Sequence, residues 1–154
     1  MKGYTMNQQP YIIYPSEGKQ VEAGQVGEVI NTCYIDEPGQ VSFGVIDYVP
    51  GWRIPLHHHN TWELIIIDKS SAGPGYTFFD SCWWRADPGC GVFIPRGHPH
   101  AWSCSNSKGF KMLWIYGDSA TKAGRIYDTD PVSFQAITEQ QENEAGIWTS
   151  QVNK

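Results

Sequence analysis

The residues in this chain best suited to chemistry are its five histidines, and all of them fall in two short stretches. One is Gly51 to Glu63, GWRIPLHHHNTWE; the other is Gly89 to Cys104, GCGVFIPRGHPHAWSC. In an extended strand alternate side chains share a face, so His57 and His59 point the same way with Cα atoms about 7 Å apart. Two imidazoles held in this way can converge on one ion at about 2.0–2.1 Å from each nitrogen. Glu63 has the same parity, and a short turn at Asn60 and Thr61 carries its carboxylate back toward them. A helix would set His57 and His59 about 200° apart, and Pro55 together with the β-branched Ile65, Ile66 and Ile67 disfavours one in any case. A fourth ligand must come from elsewhere in the chain. His100 is the natural candidate, because Pro95 and Gly97 make a turn just before it and Ala101, Trp102 and Ser103 resume an extended run.

The two stretches resemble the two signature motifs of the cupin superfamily. The first motif is a glycine, five residues, His-x-His, three residues and Glu, matched here by Gly51, His57, His59 and Glu63. The second is a glycine, five residues, Pro-x-Gly, two residues, His, three residues and Asn, matched by Gly89, Pro95, Gly97 and His100. Two positions depart from the pattern. The glycine expected seven residues after the glutamate appears instead at Gly73, a longer turn, and Cys104 stands where the second motif closes on asparagine. Neither is a ligand position. The resemblance implies the cupin double-stranded β-helix, an all-β jelly-roll barrel, and a homodimer. It also implies one divalent transition metal per chain, held by His57, His59, Glu63 and His100. A mixed nitrogen and oxygen set of this kind suits Fe(II), Mn(II), Ni(II), Cu(II) or Zn(II), and affinity order alone does not choose among them. Four protein ligands on an ion that commonly takes six leave two positions for water, substrate or dioxygen.

Around that set, three residues are candidates for contact with a substrate. Arg53 shares parity with His57 and could meet a carboxylate, its bland alternative being a surface salt bridge. Trp102, on the parity of His100, could wall a planar substrate or belong to the core, and Cys104 could tune the site or fill space. His58 has the opposite parity and should point away; the direction of His98 is left open by Gly97 and Pro99. Tyr48, Tyr76 and Tyr116 are possible acids. The function expected is a metal-dependent enzyme acting on a small organic substrate, a dioxygenase first. A metal-dependent lyase, isomerase or decarboxylase, or a non-catalytic barrel that binds a small ligand, is the alternative, because the cupin fold carries all of these.

The elements that must position these residues read as short strands. Val26 to Ile35, Val41 to Val49, Trp52 to His59, Glu63 to Ile67, Tyr76 to Arg85, Gly91 to Pro95, His100 to Cys104 and Phe110 to Tyr116 are β-favouring runs punctuated by Gly and Pro. In the second, Val41, Phe43, Val45 and Val49 alternate with Ser42, Gly44 and Tyr48; the fourth is apolar throughout, as in a strand covered on both faces. Eight to ten short strands without an intervening helix make an antiparallel barrel or jelly roll. A short C-terminal helix is expected from an Asp130 cap and Pro131 through Glu142, with Phe134 and Ile137 turned to the barrel. The chain thus divides into an arm over residues 1–24, with an apolar patch at Tyr11 to Tyr14, a barrel over 25–128, and a helix and tail over 129–154. Ile147, Trp148 and Val152 in that tail should pack on the barrel or on a second subunit.

Composition narrows the partners. With 154 residues the chain can bury enough surface for one core. A net charge of -5 and the lack of any Lys/Arg run argue against nucleic acid or an anionic membrane as partner, which leaves a small molecule. Met1 to Pro10 has no apolar stretch of the secretory kind, and no apolar run reaches the roughly 18 residues of a membrane span, so a cytoplasmic location is expected. The four cysteines should then be reduced, with Cys33, Cys82 and Cys90 as small buried residues.

Overall fold

The structure is a computed structural model and describes residues 18–21, 30–37, 39–128 and 137–147. Its strands are β1 (Lys19–Val21), β2 (Ile30–Glu37), β3 (Val41–Tyr48), β4 (Arg53–His58), β5 (Glu63–Ile67) and β6 (Gly75–Phe79). They continue as β7 (Cys82–Ala86), β8 (Gly91–Ile94), β9 (His100–Cys104), β10 (Phe110–Tyr116), β11 (Ile126–Tyr127) and β12 (Gly146–Ile147). Two short helices, α1 (Ala120–Ala123) and α2 (Glu139–Glu144), accompany them among the described residues. The strands form two six-stranded sheets, ordered β1-β2-β3-β10-β5-β8 and β11-β4-β9-β6-β7-β12. Pairing is antiparallel except between β12 and β7. This is the expected double-stranded β-helix. No helix among the described residues is long and apolar enough to cross a membrane.

Side chains that alternate along each strand fill the space between the sheets. Ile46 and Tyr48 of β3, Ile65 and Ile67 of β5, and Met112 and Trp114 of β10 face Ile54 of β4 and Trp102 of β9 in one continuous core. Two alternations differ from the sequence reading. In β3 the period is as expected, but Ser42, Gly44, Ile46 and Tyr48 are buried, and Val41, Phe43 and Val45 are half-buried. The cause is volume: Trp114 lies opposite Gly44 and its ring occupies the space a side chain there would need. In β5 only Glu63, Ile65 and Ile67 are buried, with Leu64 and Ile66 half-exposed, so the strand is covered on one face.

The run from Tyr76 to Arg85 is two strands rather than one. Asp80 and Ser81 both have positive φ (50° and 65°), which turns the chain tightly and pairs β6 with β7. The outer face of this second sheet carries a smaller cluster of Tyr76, Trp83 and Ile137, flanked by Phe78 and Ala145. The C-terminal segment lies here. Its helix α2 starts at Glu139: Thr138 is the cap, in a reciprocal capping box with Gln141, and Ile137 and Thr138 are not helical, so the expected run from Pro131 to Glu142 is not one helix. Asp130, Pro131 and Phe134 lie outside the described residues, as do Tyr11 to Tyr14, Trp148 and Val152. The backbone of Ile147 pairs with Arg85, so the tail docks on its own barrel at least to that point. All four cysteines are free, but Cys82 and Cys90 are exposed rather than buried, because one opens β7 beside the turn and the other precedes β8.

Gly44 gives the packing a direct test. A Cβ at this position would stand 2.2 Å from Trp114 Cζ2 and 2.5 Å from the Thr32 carbonyl oxygen. Gly44→Ala is expected to lower the free energy of unfolding by about 1–3 kcal/mol, the range for overfilled cores. Urea denaturation measures it, and a change within about 0.5 kcal/mol would mean that the Trp114 face is not tightly packed.

Candidate metal centre

Strand β4 delivers His57, the residue just beyond its end is His59, β5 opens with Glu63, and β9 opens with His100. His57 sits directly opposite His100 in the β4–β9 ladder, which puts the two rings on one face with centroids 4.3 Å apart. The turn of the second motif meets the first. Gly97, at φ 73°, donates its N–H to the His59 carbonyl at 3.0 Å, a backbone conformation that glycine adopts without steric cost. One donor atom from each of His57, His59 and His100 lies within 4.8 Å of the other two, and all three residues are buried. Glu63 Oε2 is 3.1 Å from His100 Nε2 and 3.6 Å from His59 Nε2.

The backbone decides which ring nitrogens are free. His57 Nδ1 meets the Pro55 carbonyl at 2.7 Å, His100 Nδ1 meets the His98 carbonyl at 3.0 Å, and His59 Nδ1 meets the Gly124 carbonyl. A carbonyl only accepts, so in each neutral ring Nδ1 carries the proton and Nε2 keeps its lone pair. His59 Nε2, His100 Nε2 and Glu63 Oε2 are buried without a hydrogen-bond partner. With Nδ1 protonated in each ring these are three acceptors crowded together, and only a proton taken up by His100 Nε2, 3.1 Å from Glu63 Oε2, or a cation can sit between them. Buried acceptors are normally satisfied, and a divalent cation is the partner that such a set fits.

The ionisation states agree. Burial holds the His57 imidazole well below its ordinary value, with repulsion from His100, Arg125 and His59 adding to it. Burial also lowers His59, against the pull of Glu63 and the Gly124 carbonyl. Burial would raise the Glu63 carboxyl, but a hydrogen bond and charge from His100, then the charges of His59 and Arg125, outweigh it and the group stays below its usual range. Neutral imidazoles and an ionised carboxylate are the forms that bind metal.

His58 faces the other way, its Nδ1 2.9 Å from Asp128 Oδ2. His98 is half-exposed, 3.5 Å from Asp80 Oδ1, and contributes its carbonyl to His100. Arg53 does not share the face of His57. A bulge between Ile54 and His57 breaks the parity, and Arg53 lies opposite Ser103, on the face where Ser103 Oγ accepts the Ile137 N–H. Trp102 and Cys104 point inward as expected. Both are packed in the core, and burial pushes the Cys104 thiol up to about 12. Tyr76 belongs to the outer cluster. Tyr116 is the tyrosine at the site: its ring centroid is 4.6 Å from that of His59, and its hydroxyl hydrogen-bonds both Glu63 and Arg125.

Two features went unread in the sequence. Arg125, carried in by the segment after α1, also places an Nη1 3.5 Å from the Tyr127 hydroxyl; 62 residues beyond Glu63 and outside both motifs, it left no mark in the sequence. The second is a cavity of about 380 Å³ between β8 and the β6–β7 hairpin. Phe79, Trp84 and Phe93 line it with His98, and His100 belongs to both the cavity and the histidine cluster. The Phe79–Asp80–Ser81–Cys82 turn that shapes its rim has no glycine to announce it.

A family model for the AraC-like ligand-binding domain matches residues 40–141. No curated protein is similar enough in sequence to count as a match. Among solved structures, the polyketide cyclase RemF of Streptomyces resistomycificus is similar over 86% of this chain and 90% of its own, with 16% identity and a TM-score of 0.62. A cupin-like protein of Thermotoga maritima is similar over 82% and 94%, with 15% identity and a TM-score of 0.61. The DMSP lyase DddQ of Ruegeria pomeroyi is similar over 75% of this chain and 64% of its own, with 20% identity and a TM-score of 0.61. At such identities the likeness is one of fold.

The lowered ionisation of His57 and His59 adds a pH-dependent contribution to the stability of the metal-free protein. Unfolded, His57 and His59 take up protons near 6.5; folded, they resist until lower pH. The native state is therefore at full advantage above about pH 6.5 and loses it as pH falls below that value. Glu63 acts in the same direction further down, its contribution present above 4.5 and lost as pH falls through its lower native value. The melting temperature of chelator-treated protein should fall steadily between about pH 7 and about pH 5. A rise over that interval would contradict neutral buried imidazoles.

Proposed function

The chain belongs to the AraC-like ligand-binding domain family, and with it to the cupin superfamily, and on that premise we propose a mononuclear metal-dependent enzyme acting on a small organic substrate, with dioxygenase chemistry first. The observation that carries this reading is the group of unpartnered lone pairs on His59, His100 and Glu63, beside His57 and against a cavity large enough for a substrate. His57, His59, Glu63 and His100 hold the ion. A redox-active ion there supplies electron transfer to dioxygen, and a redox-inert one supplies Lewis acidity. Substrate enters beside Phe79, Trp84 and Phe93 and meets the centre at the His100 side. Trp102 and Cys104, packed in the core further along the same strand as His100, do not touch the substrate. Tyr116, kept protonated by burial, donates to Glu63 and fixes the direction of its carboxylate.

The family description favours a second reading, a barrel that binds a small ligand without turning it over. A lyase or isomerase using the ion as Lewis acid stands between the two. Elemental analysis of protein purified without chelators separates them when joined to oxygen uptake on a panel of aromatic and dicarbonyl compounds. Iron with uptake supports the oxygenase; zinc without uptake removes it and leaves the other two. The homodimer that the resemblance implies is part of the proposal, with exposed Trp62 and Phe93, stacked at 6.0 Å, as an apolar contact. Light scattering that gives a monomer mass would count against it.

Two outcomes follow for the ligands. His100→Ala should weaken binding of the ion by more than the roughly 10–100-fold lost with a supporting group, measured by competition with a chelating dye. Because His57 and His59 stay neutral below the ordinary 6.5, bound metal should persist through that pH and be lost only in more acidic buffer. Metal content unchanged at about pH 4.5 would speak against histidine ligation.

A further inference from the structure

The electrostatics of the site point beyond metal binding to the charge of what binds there. Arg125 is a permanent cation, and its buried Nε makes no hydrogen bond. Its hydrogen-bond partners among the described residues, Tyr116 and Tyr127, are phenols. It biases the ionisation of Tyr48, Tyr116, His57, His59 and Glu63. Of these only Glu63 is negative near neutral pH, since phenols ordinarily ionise near about 10 and imidazoles that ligate a metal are neutral. Arg125 and Glu63 therefore cancel. A divalent ion on His57, His59, Glu63 and His100 would then leave two positive charges that none of these buried groups balances. Buried charge left unpaired is costly, and a ligand that supplies the missing charge removes the cost.

We infer that Arg125 makes the loaded centre selective for anionic ligands, so that the substrate is a small organic acid or enolate held between the ion and the guanidinium's field. This rests on the metal reading of the site and narrows it from any small organic molecule to one chemical class. The aromatic lining of the adjoining cavity suits a planar body on that anionic end. It also moves the anion-binding role from Arg53, on the far face of its strand, to Arg125. Arg125 acts here through charge. Removing that charge should weaken anions, spare neutral donors, and leave the affinity for the ion the same or higher, because one cation no longer repels another. Loss of a merely structural arginine would instead weaken the ion and every ligand together.

Cobalt(II) serves as the test ion because its visible bands report each ligand exchange. Wild-type protein, Arg125→Gln and Arg125→Lys are loaded with cobalt and titrated with azide as the anionic probe and imidazole as the neutral one. The expected result is one cobalt per chain in all three, and azide affinity at least about tenfold weaker in Arg125→Gln. Imidazole affinity should be unchanged, cobalt affinity equal or raised, and azide binding largely restored in Arg125→Lys. Azide binding equally tight in Arg125→Gln overturns the inference, as does parallel loss of azide, imidazole and cobalt. A wild-type protein that takes up no cobalt overturns the metal reading itself, and this inference with it.

Discussion

Three hydrogen bonds from imidazole Nδ1–H groups to backbone carbonyls set the character of this protein. Pro55, Gly124 and His98 each hold a ring so that its other nitrogen is left bare in the interior. Without those carbonyls the rings could rotate or exchange tautomers, and His100 Nε2 could donate to Glu63 at 3.1 Å instead of competing with it. With them, the barrel encloses lone pairs that have no protein partner. Leaving such groups unpaired costs stability, and a fold that keeps them has a use for them.

Much of the surrounding architecture holds that arrangement in place. The bulge in β4 between Ile54 and His57 turns His57 inward opposite His100, while its carbonyl-bearing Pro55 supplies the first of the three bonds. The segment from Ser119 to Asp128 crosses the same end of the barrel. There the Ala123 carbonyl takes the Asn60 N–H, the Gly124 carbonyl takes His59, Tyr127 pairs with His57, and Asp128 meets His58. Arg125 rides in on this segment and reaches Glu63 through Tyr116. The site is thus closed by chain that lies beyond both sequence motifs.

How much of this the sequence disclosed follows from the range of each signal. The motif spacing brought out His57, His59, Glu63 and His100, since strand periodicity is local and glycine and proline mark the turns around it. The same periodicity failed for Arg53 because it assumes an unbroken ladder, and a bulge of one residue reverses every face beyond it. Alternation in β3 was visible, but which face is buried depends on Trp114, a partner 70 residues away. The Asp80–Ser81 turn was missed for want of a glycine. The start of α2 carries a local mark, the capping-box spacing of Thr138 and Gln141, which the sequence reading from Asp130 and Pro131 did not use. Arg125 had no local mark at all. Its place is set by how the chain returns over the barrel.

Metal binding at this site depends on the protonation of three rings, which nitrogen-15 NMR of the histidine side chains reads directly. In metal-free protein near neutral pH, His57, His59 and His100 should each show a protonated Nδ1 and a bare Nε2, and added zinc should shift the Nε2 resonances of all three at one equivalent. Rings that carry the proton on Nε2, or bare nitrogens indifferent to zinc, would contradict it.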